Sequence, residues 1–166
     1  MNTKLTTSIV AFAALVWASA LPAHHSLGRY DLSAPIWLAA VVVRFERINP
    51  HAVVVVDQDT GDGHVQRWTV TGPDVRQLDR MGIDQEFLQA GDVVQFCGFA
   101  LKDSEASQRP APPPGGVSDK LMNGHLLVLP DGHKQFWSDY GQLHQCVDAD
   151  ELEAVRSTAR RVTQDP

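Results

Sequence analysis

The stretch Ile48-Asn49-Pro50-His51-Ala52-Val53-Val54-Val55-Val56-Asp57 decides how the chain is read, because a polar corner runs straight into four valines. Asn49-Pro50 is turn chemistry, and Pro50 has no N–H to give to a ladder. The β-branched run Val53 to Val56 reads as a strand with at least one buried face. His51 stands at the joint. On the N-terminal side of the corner, Ile36 to Phe45 forms a first strand. Trp37, Ala39, Val41, Val43 and Phe45 share one face, and Leu38, Ala40 and Val42 share the other. Both faces start apolar and one turns polar at Arg44 and Glu46, as expected of a long strand curling around a small barrel.

On the C-terminal side, Ala52 to Asp57 is the second strand, and Thr60-Gly61-Asp62-Gly63 closes a hairpin onto a third, His64 to Thr71. Val75, Leu78 and Met81 recur at helical spacing, which predicts a helix over Asp74 to Met81 ended by Gly82. Ala90-Gly91-Asp92 opens a fourth strand, Val93 to Phe99, in which Gly98 signals a bulge or a close backbone approach. Residues 103–118 are rich in proline and read as a loop, neither helix nor central strand. Gly124 to Leu129 is a further strand, and Pro130-Asp131-Gly132 turns it toward His133 to Trp137. Leu152, Val155 and Ala159 form one stripe of a C-terminal helix within 148–166. Three strands, a helix and two or more strands predict a mainly β fold: a small OB-like five-stranded barrel with a helix between strands 3 and 4. A half-open antiparallel barrel would give a similar order.

Length and charge narrow the classes. The 166 residues suit one domain, 24–147, after a leader. Lys4, the apolar Ile9 to Trp17 and the small residues Ala18-Ser19-Ala20 read as a secretion signal over 1–23, cut after Ala20 or after Ala23. The apolar stretch falls short of the roughly 20 residues of a membrane span, so no integral span is expected in the mature form. The expected location is the periplasm or outside the cell. A formal net charge of −6 with no basic patch excludes nucleic acid as a partner. Cys97 and Cys146 are expected to form a structural disulfide in an oxidising compartment; two separate buried thiols are the alternative.

Several segments together resemble a family of small exported bacterial proteins that carry a domain of unknown function. They are His24-His25-Ser26-Leu27, Tyr30-Asp31, Val42 to Phe45, Asn49-Pro50-His51, Trp68, and Gly91-Asp92 with Val94. The combination of an N-terminal His-His-Ser with a downstream Asn-Pro-His carries most of the likeness. Leu27 stands where the family has Phe, Ala40 where it has Gly, and Arg47 where it has Trp. The resemblance implies no reaction; it draws attention to the two histidine motifs.

Three readings compete for those histidines. A metal site would use His24, His25 and His51, with copper or zinc as the suitable ions. Cleavage after Ala23 would add the free amine of His24 as a chelating group. A pocket for a small molecule or a partner segment would use His25, Asp31, His51 and Trp68, with Trp37 as a further candidate for its lining. In a purely structural reading, Asn49-Pro50-His51 is a fixed corner whose ring bonds the N-terminal segment or Asp31. His64, His125, His133 and His144 are dispersed and carry less. No nucleophile elbow, phosphate loop, dinucleotide fingerprint or zinc-protease motif is present. The sequence therefore favours a non-catalytic binding or accessory module for a small ligand or an envelope protein. A metal-binding protein, including a metal-dependent oxidative enzyme, and a structural subunit of an envelope complex are the alternatives.

Overall fold

The computed structural model describes residues 27–61, 63–107, 120–137 and 145–147. Six strands follow in order: β1 (Ile36–Glu46), β2 (Val53–Asp59), β3 (Val65–Thr71), β4 (Val93–Ala100), β5 (Lys120–Val128) and β6 (Lys134–Phe136). Helix α1 (Val75–Arg80) lies between β3 and β4, and the single turn α2 (Asp103–Ala106) follows β4. The sheet runs β3-β2-β1-β4-β5-β6, and β3 also pairs with β5 in parallel, Trp68 to Thr71 against Lys120 to Asn123. That pairing closes the first five strands into a mixed barrel, the OB-like architecture expected from the element order. The leader, the core of the proline-rich loop and the C-terminal helix expected over 148–166 lie outside the described residues.

The barrel is strongly staggered. Partners followed from Glu46 run through Val53, Thr71, Asn123 and Phe99, and Phe99 lies beside Gly98, the partner of Ile36 at the other end of β1. Tilted strands with a large stagger are what allow so few strands to close around a packed interior. A register shift between Val42 and Arg44 changes the phase of β1. Phe45 therefore turns inward with Leu38, Ala40 and Val42, not outward with Trp37 as strict alternation suggested.

The interior is filled. Leu38, Val54, Val70, Phe96, Leu127 and Trp137 are all almost wholly buried within one cluster. Trp137 follows β6 and lies among Phe45 and Phe96, with ring centroids 5.7 and 5.8 Å away. Two glycines make room for it: a Cβ on Gly72 would come within 2.6 Å of the indole nitrogen, and one on Gly124 within 2.7 Å of the ring.

Local chemistry explains the connections. The Asp74 side chain accepts from the Gln77 N–H at 2.7 Å and caps α1, while Gly82, at φ +70°, lets Ile83 N–H reach back to Leu78 O. Leu78 turns into the core. Gly98 marks both features expected of it. The ladder shifts there, and a Cβ would lie 2.1 Å from Asn123 O. Two expectations need correction. β5 starts at Lys120, ahead of the predicted Gly124, because its first residues find parallel partners on β3. Asp103 to Ala106, assigned to the loop, form one helical turn, since the proline run starts only at Pro110 and acidic residues suit a first turn.

Candidate functional site

The Asn-Pro-His corner joins β1 to β2 and is tied to α1 and the link before it. The Asn49–Pro50 peptide is cis. Ala52 N–H donates to Pro73 O at 2.8 Å, and Gly72 N–H donates to Ala52 O at 2.9 Å. Asn49 Oδ1 accepts from Val75 N–H, the first residue of α1, at 3.3 Å. Arg47 pairs with Asp79 on the same helix. Gln85 Nε2 donates to Phe45 O at 2.7 Å, bracing the end of β1. Asn49 and Arg47 are thus both spent on holding the helix against the corner. His51 is exposed beside this clasp.

The N-terminal segment is fastened elsewhere. Leu27–Arg29 form a 3-10 turn, and Tyr30 bridges Leu101 beyond the end of β4. Asp31 N–H donates to Ala100 O, and Lys102 N–H to Arg29 O. Lys102 Nζ donates to Gly28 O at 2.8 Å, and Arg29 pairs with Glu105 at 3.1 Å. The Asp31 carboxylate accepts from Ser33 Oγ at 2.6 Å and from Ser33 N–H at 3.1 Å. Those two bonds lower its pKa, against a smaller opposing effect of desolvation. Ser33 therefore engages the carboxylate of Asp31, which stands five residues ahead of β1, whereas His51 stands five residues beyond it. The 11 residues of β1 separate the two ends. His24 and His25 precede Leu27 and lie outside the described residues.

Trp68, the fourth residue of the expected pocket, turns into the barrel. It is buried, its indole N–H donates to Gln58 Oε1 at 2.9 Å, and Lys120 Nζ sits 5.2 Å from the ring centroid. The side chains of Asp31 and Trp68 are taken up by different neighbours, Ser33 for the first and Gln58 and Lys120 for the second. Among the described residues no group of three or more His, Cys, Asp and Glu is placed to hold a metal ion. His125 is buried edge-on to Phe99 at 5.1 Å, while His64 and His133 are exposed.

A different feature stands out on the outside of β1 and β4. Trp37, Ala39 and Val41 point away from the core, and Val93 and Gln95 lie opposite Val41 and Ala39. Trp37 is 49 % exposed, Val41 42 % and Val93 62 %. The register places them in one strip, about 13 Å long between Trp37 and Val41. Sequence reasoning missed its meaning. The signal was there in the two apolar faces of β1, but only the filled interior shows that the second face has no core to join among the described residues.

Beside the strip, the partner of Trp37 is Cys97, which is disulfide-bonded to Cys146 as expected, with Cα atoms 5.8 Å apart. Cys97, Leu126, Phe136, Cys146 and Val147 form a second small buried cluster.

A comparison with curated proteins finds no match. The model of a family of unknown function, DUF6152, matches residues 12–109, more than half of the chain. That span runs through the N-terminal clasp, the Asn-Pro-His corner, the β1–β4 strip and α2. By this match the chain belongs to the DUF6152 family of unknown function.

Proposed function

We propose that this protein is an exported, non-catalytic binding module that engages an envelope protein through the outer strip on β1 and β4. The observation that carries this reading is the pairing of a filled barrel with the exposed Trp37, Val41 and Val93 on its exterior. A barrel that encloses a small ligand needs an interior left open for it. Here side chains occupy that space, so contact falls to the surface. Exposed aromatic and aliphatic residues in register on adjacent strands are the material of a protein-contact core. The disulfide fits an oxidising compartment, and no helix among the described residues is long and apolar enough to cross a membrane.

A copper or zinc site shared by His24, His25 and His51 is less well supported. His24 is three residues from Leu27, a reach of at most about 10 Å. Leu27 to Asp31 are held at the end of β4, away from the corner that carries His51.

The test is reversible cross-linking in intact cells expressing the tagged, exported protein, followed by recovery of its adducts. The wild-type chain is expected to yield a discrete adduct with another envelope protein. Val93→Lys and Trp37→Lys are expected to lose it while keeping their circular dichroism and denaturation midpoint. No adduct, or one indifferent to both substitutions, would overturn the reading.

A further inference from the structure

The first half of β1 has a backbone edge that its own sheet leaves open. Val42 N–H donates to Asp92 O and Val42 O accepts from Gly91 N–H, so both backbone groups of Val42 point toward β4. Backbone groups alternate between the two edges along a strand. Those of Ala40, Leu38 and Ile36 therefore also point toward β4, where Val94, Phe96 and Gly98 lie opposite. The N–H and C=O of Val41, Ala39 and Trp37 face the other way. Asp57 of β2 stands opposite Val41, and the β1–β2 pairing ends there. Gln58 and Asp59 stay with Gln66 and Val65 of β3, and the Asp59 carboxylate accepts from Gly61 N–H. Among the described residues no strand runs along the Trp37 and Ala39 edge, and no loop backbone bonds it.

We infer that two copies of this chain pair antiparallel through that edge, about a two-fold axis at Leu38, with Trp37 opposite the partner subunit's Ala39. This goes beyond the binding reading above, since it uses the edge of β1 and leaves its outer face free. The edge is complementary to itself. A two-fold axis makes the pairing antiparallel, and an axis at Leu38 sets position 37 against 39 and 39 against 37. Those are the positions whose N–H and C=O face this way, so each opposed pair exchanges both of its bonds and leaves no donor or acceptor over. The side chains suit as well. Opposed residues lie on one face of the joined sheet, where the large Trp37 ring meets a small Ala39, both exposed in the single chain.

Nothing on the strand blocks such pairing. Edge strands ordinarily carry a charge, a proline or a bulge that keeps other strands away. Ile36 to Val41 contain neither charge nor proline, and the bulge of β1 comes only after Val42. Pairing is confined to residues 36–40, because β2 takes the edge from Val41 onward. So short a contact makes a weak dimer that dissociates on dilution. When it forms, the two strips lie side by side, about 4.8 Å apart from β1 to β1, which doubles the apolar face offered to an envelope protein.

The experiment uses the full exported protein with its disulfide intact. Light scattering over a dilution series is expected to give twice the molar mass of one chain when concentrated, falling to one chain when dilute. Ala39→Pro removes the N–H on the open edge and spares the β4 ladder, which that N–H does not join. Ala39→Lys leaves the backbone alone and puts a charge into the pair. Both variants are expected to keep one chain's mass throughout, with wild-type circular dichroism; if Ala39→Pro fails to fold, Ala39→Lys decides. Amide hydrogen exchange locates the contact. The Trp37 and Ala39 amides should slow severalfold as the dimer forms, while Leu38 and Ala40, bonded to β4, stay slow at every concentration. A single-chain mass throughout, or a dimer kept by the folded variants, would overturn the inference. So would exchange at Trp37 and Ala39 that ignores concentration. An envelope adduct from a protein that stays one chain keeps the binding reading and removes this one. A dimer without any adduct does the reverse.

Discussion

Asp57 and Arg67 face each other across β2 and β3, and Arg67 donates to both carboxylate oxygens at 2.8 Å. The Arg67 hydrogen bond is the main cause that lowers the Asp57 pKa, and desolvation opposes it. A carboxylate with a lowered folded-state pKa stabilises fully above its unfolded value, about 3.9, and loses that contribution as pH falls through the folded value. Both side chains are nearly a third exposed, so solvent keeps the pair's worth to about 1 kcal/mol or less. Arg67→Met should therefore lower stability by up to about 1 kcal/mol near neutral pH, with the gap to wild type closing below about pH 4. Urea midpoints on either side of that pH check it, and a gap that widens in acid would contradict it. Gly98 is a harder constraint, because a Cβ there would meet a backbone oxygen, not a movable side chain. Gly98→Ala should cost at least about 1–3 kcal/mol, read as a lower urea midpoint. An unchanged midpoint would mean that β4 and β5 part more easily than their register implies.

At the scale of elements, the disulfide joins β4 to a segment beyond β6 across 49 residues of chain. Replacing Cys146 with Ser should destabilise the fold by about 2–5 kcal/mol, and reductant should then have no further effect on the variant. Equal midpoints for wild type and Cys146→Ser without reductant would contradict this. Several elements were plain in the sequence. Asp74, the Val75-Leu78-Met81 spacing and Gly82 define α1 by local chemistry alone, and the glycines after Asp59 do the same for the β2–β3 hairpin. Others depend on distant partners. Lys120 to Asn123 join β5 only because β3 offers a parallel edge, and nothing in their alternation announces it. The bulge near Val43 likewise reverses the side to which Phe45 points, and a two-residue period cannot show such a shift. The corner histidine was visible as a motif. That Asn49 and Arg47 would be occupied by α1 was not, because Asp79 lies 32 residues away from Arg47.

On the scale of the whole molecule, the closed barrel sorts the candidate residues by place. Trp68 goes to the core, Asp31 to the clasp beyond β4, and His51 to the far end of β1. The expected pocket is thereby dispersed among the described residues. Among the exposed large apolar residues, which also include Leu27, Ile48 and Val65, Trp37, Val41 and Val93 are the ones that line up on the neighbouring strands β1 and β4. Composition could not single them out, since exposed apolar residues are common when scattered; their register on neighbouring strands gives them weight. The most direct test of the exterior as working surface is site-specific photo-cross-linking of the exported protein in intact cells. One probe replaces Val93 on the strip, and a control probe replaces the equally exposed Val65 at the start of β3. The predicted result is a discrete adduct with another envelope protein from position 93 and none from position 65. Adducts from both positions alike, or from neither, would contradict the account.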